Sequence, residues 1–406
     1  MVCAAAAAVA LAGCYSGPAG AQASGGPSTP VTGSSQAGAG TWRAENSGTS
    51  QRLYDVACLS ALRCEAVGAA GTVVTTADGG RIWRAQANPL RGSSTPLYAI
   101  ACVAPSSCYV IARPDTILVT HDGGASWSRH VLPVGVSGAD LTDQACLPGY
   151  AIAGRPALCR LGLLDVACVS ARVCYAVATA PPAYDNGTPV PKAPHAAPSS
   201  IWLTRDGGAS WTRQAVPPGV ACNGDCQSGL YGYPLEWVSC LSSGLCRAGG
   251  GDLVDCGHCG FAYAVLVTHG PGQPWRCAQS TVMCAGVAPD AAVCPTSTGC
   301  YGVQSTNPFG GPTGGVNVYR SSDGGAGWAQ IGPQLGWSSS VLNAIACPAA
   351  LTCYLAGSGG SIARITNGTT LTAQRTPTRS DLYGIGCPRP ATCYAVGDKG
   401  TILVLR

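Results

Sequence analysis

The residues best equipped for chemistry in this 406-residue chain are few and scattered. "CGHC", from Cys256 to Cys259, sets two thiols around Gly257 and His258 at the spacing used for dithiol exchange. That chemistry needs a thiol of lowered pKa, which a helix N-terminus directly after a strand supplies. The surrounding "DLVDCGHCGFAYAV" has no such pattern, so redox catalysis is not expected. Together with "CNGDC" at Cys222 and Cys226, the same segment has spacings of the order that zinc sites use. The export signal described below favours oxidised cysteines over thiolate ligands, and no metal is expected. Glu45, Glu65 and Glu236 are the only glutamates, the five histidines are dispersed, and neither a phosphate loop nor a nucleophile elbow is present. No catalytic residue and no cofactor is assigned.

What must position these residues is a repeat. Two cysteines six positions apart recur seven times: Cys58 and Cys64, Cys102 and Cys108, Cys168 and Cys174, Cys240 and Cys246, Cys294 and Cys300, Cys347 and Cys353, Cys387 and Cys393. Around them stand short β-rich runs such as "LYDVAC", "CEAVG", "TVVTT" and "RIWRAQ", separated by Gly, Pro, Ser or Asp-Gly turn signals. Four short antiparallel strands in a unit of about 40 residues describe a propeller blade. The expected fold is all-β, a seven-bladed β-propeller of four-stranded blades, A to D from the centre outward. Each cysteine pair then joins strand A to strand B across their hairpin, giving one intrablade disulfide per blade. Loops of this size contribute about 2 kcal/mol each in the chain-entropy picture. The last repeat stops at its third strand, "TILVLR", while "TWRAEN" from Thr41 matches the Trp-bearing fourth strand "IWRAQ" of the first. The N-terminal strand near Trp42 is therefore expected to complete the last blade and close the ring.

The formal charge of +4 is spread over a chain that is 10% charged, unlike the dense basic footprint of a nucleic-acid binder, so no nucleic acid is expected. "MVCAAAAAVALAGCYSG" carries an apolar run too short to span a bilayer and of the right length for an export signal. "LAGC", Leu11 to Cys14, resembles a bacterial lipobox, which implies cleavage before Cys14 and lipidation of its thiol. The expected organisation is a lipoprotein signal peptide over 1–13, a lipidated Cys14 with a flexible Gly/Ser/Ala/Pro tether over 14–40, and the propeller over 41–406. The expected address is extracytoplasmic, held to a bacterial membrane by lipid alone. The alternative is soluble secretion through a cleavage site at "AGAQA", ending at Ala23.

Between strands C and D stand "TADGGRIW" (Asp78, Trp83), "THDGGASW" (Asp122, Trp127), "TRDGGASW" (Asp206, Trp211) and "SSDGGAGW" (Asp323, Trp328). These resemble Asp boxes, the turn motif of bacterial neuraminidase repeats, and with "CYAVGDKGTIL" they most resemble the photosystem II stability and assembly factor-like branch, which includes lipoproteins. The resemblance spans about 41 to 406 and brings no substrate with it. Asp bonds back to turn amides, Gly takes positive φ and Trp buries between blades. "THGPGQPW" at Thr268 keeps Trp275 without the Asp, and "TNGTTLTA" at Thr366 keeps neither. The same turns occur in sialidases, making a sialidase-like glycoside hydrolase the alternative. That family uses an arginine triad, an acidic residue, and a tyrosine nucleophile assisted by a glutamate. Its arginine signature is not evident here, and its propellers have six blades.

In a propeller the A–B and C–D turns share one face, and the B–C and D–A connections share the other. The first face is uniform here, whereas the long insertions (131–163, 180–199, 215–236, 250–262, 276–292 and 305–315) all fall on the second. Of the 24 cysteines, Cys3, Cys14 and the fourteen repeat cysteines leave Cys146, Cys159, Cys222, Cys226, Cys256, Cys259, Cys277 and Cys284, an even number of open connectivity in these insertions. Tyr54, Tyr98, Glu236, Asp290, Asn343 and Tyr383 each stand four residues before the first cysteine of their blade and form a candidate channel-mouth rim, which Asp55 and Asp165 could join. The expected function is a monomeric, non-catalytic binding or assembly scaffold whose inserted-loop face takes a protein or a cell-envelope glycan.

Overall fold

A computed structural model describes residues 40–103, 106–135, 151–152, 155–159, 162–179, 184–185, 188–189, 199–216, 235–252, 262–278, 289–305, 316–332 and 342–406. Gly40–Arg406 form one compact unit. Residues 1–39, with the expected signal, Cys14 and most of the tether, lie outside the described residues.

The chain folds as the repeat requires. Blade 1 consists of Leu53–Cys58, Cys64–Gly68, Val73–Thr76 and Arg84–Ala85, hydrogen-bonded in that order. Blade 2 uses Leu97–Val103, Ser107–Ala112, Thr116–Thr120 and Ser128–Val131, and blades 3 to 6 repeat the order from Gly162, Trp237, Ala291 and Leu342. Blade 7 takes Leu382–Arg389, Thr392–Gly397 and Ile402–Leu405 from the C-terminus and its outermost strand, Trp42–Glu45, from the N-terminus. Trp42 stands opposite Leu405, Thr41 N–H donates to the Arg406 carbonyl at 2.9 Å, and Glu45 pairs with Arg406 at 3.1 Å. No helix among the described residues is long and apolar enough to cross a membrane.

The seven cysteine pairs are bonded, with Cα atoms 4.0–4.1 Å apart. In blades 1 to 4 the partners face each other directly in the A–B ladder, the close side-chain approach that lets a disulfide cross an antiparallel pair. Strands B such as "CEAVG" and "CYAVAT" are buried along their length, because both faces of the sheet are covered by neighbouring blades. The outer strands, such as Arg84–Ala85 and Ala329–Gln330, are exposed. The core is accordingly divided into seams. At the seam of blades 7 and 1, Leu53, Val56, Val74 and Trp83 pack on Tyr394, Val396, Ile402 and Val404. Among the described residues, the seam of blades 4 and 5 holds Trp237 and Val265 against Ala292 and Trp328.

A latch crosses most of these seams. The residue after the second cysteine of a blade is Tyr in Tyr109, Tyr175, Tyr301, Tyr354 and Tyr394. Tyr109 donates to the Ala171 carbonyl at 2.7 Å, Tyr301 to Ala350 at 3.0 Å, Tyr354 to Pro390 at 2.8 Å and Tyr394 to Ala61 at 2.9 Å. Each acceptor is the third residue of the next blade's inter-cysteine loop. The same rings stand edge-on to the next blade's Trp: Tyr394 to Trp83 at 6.1 Å, Tyr109 to Trp211 at 6.3 Å, Tyr175 to Trp275 at 5.4 Å, and Tyr354 to Trp42 at 6.3 Å. Trp42 thus fills in blade 7 the place of a box tryptophan. In blade 4 the latch is Arg247, whose guanidinium donates to the carbonyls of Gly324 and Ser297. In blade 1 the equivalent position is held by Glu65.

The Asp boxes are closed hydrogen-bond circuits. Thr76 Oγ1 donates to Asp78 Oδ1 at 2.9 Å and accepts from Gly80 N–H at 2.9 Å, while Ile82 N–H donates to Asp78 at 3.0 Å. Thr120 with Asp122, Thr204 with Asp206 and Ser321 with Asp323 repeat the first bond at 2.7–2.8 Å. The second glycine of each box has φ of 87° to 93° (Gly80, Gly124, Gly208, Gly325), where a side chain would be strained. Hydrogen bonds from the Ser126 and Ser210 hydroxyls and amides hold Asp122 and Asp206 down at about 2. The boxes are fully engaged in holding their turns.

Candidate functional site at the loop-side mouth

The two faces differ in how much of their surface is spoken for. The inter-cysteine loops and C–D turns are tied together in successive blades by one bond, as in Gly79 N–H to Leu62 carbonyl at 3.0 Å, Gly207 to Arg172 at 3.1 Å and Gly368 to Leu351 at 3.0 Å. On the opposite face, the B–C connections of blades 1, 6 and 7 are single 3-10 turns, Ala69–Gly71, Ser358–Gly360 and Asp398–Gly400. The long insertions sit instead on blades 2 to 5. Two short hairpins occur within them, Ala151–Ile152 with Arg155–Cys159 and Tyr184–Asp185 with Thr188–Pro189. The described B–C connections of blades 6, 7 and 1 are therefore the short ones.

Beside these short connections the candidate rim residues come together in part. In blades 1, 2, 6 and 7 the inner strand carries a register shift at the fourth residue before the cysteine, which makes Tyr54, Tyr98, Asn343 and Tyr383 the extra residue of a β-bulge. The bulge turns these side chains out of the ladder and toward the adjoining blade. Tyr54 lies 4.7 Å from Tyr98 and 5.9 Å from Tyr383, ring centre to ring centre, so three tyrosines lean on one another across blades 7, 1 and 2. Asn343 continues the row by donating to the Leu382 carbonyl at 2.8 Å. Glu236 and Asp290 stand immediately before their inner strands, where their amides bond the Gly249 and Val303 carbonyls at 2.8 Å. They are not part of the tyrosine row.

Cations cap the row. The Arg52 guanidinium lies 5.3 Å from the centre of the Tyr383 ring and its Nε is 2.5 Å from Asp398 Oδ1, while Tyr383 OH donates to the other Asp398 oxygen at 3.3 Å. Arg113, itself 5% exposed, lies 4.9 Å over Tyr98. Burial opposes the Arg52 charge, but the bond to Asp398 and the adjoining phenol outweigh it and hold its pKa above the ordinary value. Burial pushes the Tyr383 phenol up to about 12. Lys399, at φ 54° on the blade 7 turn, stands exposed beside this group. Tyr54, Tyr383 and Arg113 are 8%, 4% and 5% exposed, so what reaches the surface is Tyr98 and Arg52, both half-buried, and the exposed Lys399, an aromatic edge beside cations suited to carbonyl or carboxylate oxygens.

The channel carboxylates are engaged otherwise. Asp55 accepts from Val56 N–H at 2.8 Å and, in blade 2, from Ile100 N–H at 2.9 Å; Asp165 accepts from Val166 at 2.8 Å and, in blade 4, from Val238 at 2.9 Å. Each staples its inner strand to the next one. Burial, reinforced by the charge of Asp55 and opposed by these amides, pushes Asp165 up to about 7. Glu65 is buried against the Cys102–Cys108 bridge, within 4.8 Å of both sulfurs, which are bonded to each other and offer no metal ligand. Cys277 is disulfide-bonded. The side chains of Cys146, Cys159, Cys222, Cys226, Cys256, His258, Cys259 and Cys284 lie outside those described.

Arg52, Arg113, Asp398, the box hydroxyls and the latch residues were not singled out by sequence reasoning. The latch had a readable signal in the recurrent Cys-Tyr pair. Arg52, Arg113 and Asp398 had none, because they come from three connections with no common spacing.

Comparison with known proteins agrees with this architecture. The family model for photosynthesis system II assembly factor YCF48 matches residues 34–148. A search of curated proteins finds no match. Among solved structures, YCF48 bound to D1 peptide is similar at TM-score 0.54 and 17% identity, over 90% of this chain and 96% of that one. YCF48 from Cyanidioschyzon merolae is similar at 0.55 and 16%, over 90% and 98%. A GH74 xyloglucanase from Xanthomonas campestris is similar at 0.56 and 13%, over 89% of this chain and 53% of that one. At such identities the structural likeness establishes the fold alone. The chain is thus a seven-bladed Asp-box propeller that resembles the photosystem II assembly factor YCF48.

Proposed function

We propose that the protein is an exported, lipid-anchored binding or assembly scaffold that acts as a monomer and takes an extended segment of a partner protein on its loop-side face. The observation that carries this reading is the unequal use of the two faces. One is committed to disulfide loops, Asp boxes and ring closure, and the other carries the insertions and a rim where Tyr98, Arg52 and Lys399 reach solvent over buried Arg113 and Tyr383. Aromatic and arginine side chains are those that dominate protein recognition, and a rigid scaffold bearing varied loops is where binding is built. The likeness to a propeller solved with a bound D1 peptide supports a peptide-like partner over a glycan. Seven disulfides suit an oxidising compartment, and lipidation at Cys14 with a tether to residue 40 would supply the anchor. A glycosidase is disfavoured because Asp55 and Asp165 each engage two backbone amides.

Crosslinked capture from the source organism's membranes tests the reading, using residues 41–406 and a version with 181–199 replaced by a Gly-Ser linker. A protein captured by the first and lost with the loop supports it. Hydrolysis of a sialoside reporter, abolished by substituting a channel carboxylate, overturns it.

A further inference from the structure

Four large apolar side chains stand about half exposed among the described residues: Leu62 at 57%, Ile82 at 50%, Leu351 at 48% and Val131 at 57%. Three of them share one arc of the box face. Leu351 belongs to the inter-cysteine loop of blade 6, and Leu62 and Ile82 to the loop and box of blade 1. Blade 7 lies between them, joined on each side by a latch, Tyr354 OH to the Pro390 carbonyl and Tyr394 OH to the Ala61 carbonyl. Its own loop presents Arg389, Pro390 and Ala391, all exposed.

The other blades supply an internal comparison. At the position of Leu62 and Leu351 the remaining loops carry Ser106, Arg172, Gly244, Thr298 and Ala391. At the position of Ile82 the other boxes carry Ser126, Ser210 and Gly327, and both serine hydroxyls bond their box aspartate at 2.5 Å. Ile82 gives up that bond and leaves its side chain in water. Arg81 replaces the Ala125, Ala209 and Ala326 of the other boxes. Neither change serves the turn or a seam.

Charge on the arc is mainly positive. Arg63, Arg81, Arg389 and Arg406 share it with Asp78, which its box absorbs, and with Glu45, which pairs with Arg406. Blade 6 adds no acid, since its turn "TNGTT" has lost the box aspartate. The chain also joins the ring here. Thr41 pairs with Arg406, whose guanidinium reaches the Gly79 carbonyl of blade 1 at 2.5 Å.

We propose that the box face of blades 6, 7 and 1 is a membrane-contacting surface, with Leu62, Ile82 and Leu351 entering the headgroup boundary of an anionic bilayer and Arg63, Arg81 and Arg389 against its phosphates. Exposed apolar side chains flanked by arginine are the composition that binds such an interface. The loop-side rim then faces away from the bilayer. This inference stands whether or not the ligand proposed above is correct.

Residues 40–406 form one compact unit that holds every described strand and all seven bonded repeat pairs, so this part is used alone, without the apolar run that would confuse the measurement. Flotation with vesicles of phosphatidylcholine containing about one third phosphatidylglycerol should show binding that weakens with salt. L62S/I82S/L351S should reduce the bound fraction at least about tenfold, and V131S should leave it unchanged. R81E/R389E, which touches no core position, should also weaken binding with an unchanged melting temperature. Amide exchange with vesicles present should slow at 58–64, 78–83 and 347–353. Absence of wild-type binding, equal binding of the apolar triple variant, protection confined to the loop side, or dimerisation through these same residues would each overturn the proposal.

Discussion

Glu65 occupies in blade 1 the place of the latch tyrosine, and a carboxylate cannot donate to a carbonyl as a phenol does. It is 4% exposed and its Oε2 has no hydrogen-bond partner. Burial, opposed in part by Arg63, raises its pKa from an ordinary value of 4.5 to about 7. The folded protein therefore binds this proton more tightly than the unfolded chain does. Between pH 4.5 and about 7 the native state holds more protons, so the stability associated with Glu65 is complete below 4.5 and falls as pH rises to about 7. The gap corresponds to about 3 kcal/mol. Glu65→Gln fixes the neutral, hydrogen-bonding form and removes the dependence. Urea unfolding of residues 40–406 under oxidising conditions, at pH 5 and pH 8, gives the comparison, because the difference between the two proteins cancels Asp165 and every other shared titration. The wild type should lose about 3 kcal/mol more than the variant over this interval. Parallel losses in the two proteins would refute the argument and place Glu65 in contact with solvent or with a donor.

The latch itself is testable by paired substitutions: Tyr354→Phe removes a 2.8 Å bond and should cost about 1 kcal/mol, while Tyr175→Phe, whose hydroxyl has no partner, should cost close to nothing in urea midpoints. Trp42→Ala empties the box-tryptophan place of the closing strand, and should cost about 3–5 kcal/mol and expose that strand to limited proteolysis. The box aspartates Asp122 and Asp206, held at about 2, contribute stability that is present above their unfolded pKa and lost as pH falls through about 2. The double Asn variant should therefore melt with a shallower acid limb than the wild type, and an unaltered limb would count against the box circuits.

The fold was legible because its determinants are periodic. Cys58 and Cys64 recur at one spacing in every blade, and the Trp42 strand could be matched to Trp83 without knowing where either lies. The site was legible only in outline. Tyr54, Tyr98 and Tyr383 are visible as equivalent positions, but the bulge that turns them toward one another is a property of backbone register and leaves no residue-type signature. Arg52, Arg113 and Asp398 meet the tyrosines from a D–A connection and two B–C turns. Such contacts follow from how inner strands converge, as where a Cβ on Gly384 would come within 2.6 Å of the Asp55 Cα. Glu65 and Arg247 are informative as departures from Tyr at the latch, which only the seam geometry reveals as one position.

Lysine content makes the loop-side reading directly measurable. Lys192 and Lys399 are the only lysines in the chain, and both belong to B–C connections, of blades 3 and 7. An amine-reactive crosslinker applied to residues 40–406 with the N-terminal amine acetylated, in the presence of membranes of the source organism and with junctions mapped by mass spectrometry, therefore reports that face selectively. The account predicts junctions from Lys192 or Lys399 to one partner protein, lost in K192R/K399R while the partner is still retained without crosslinking. A partner retained by the protein yet giving no junction from Lys192 or Lys399 would contradict it.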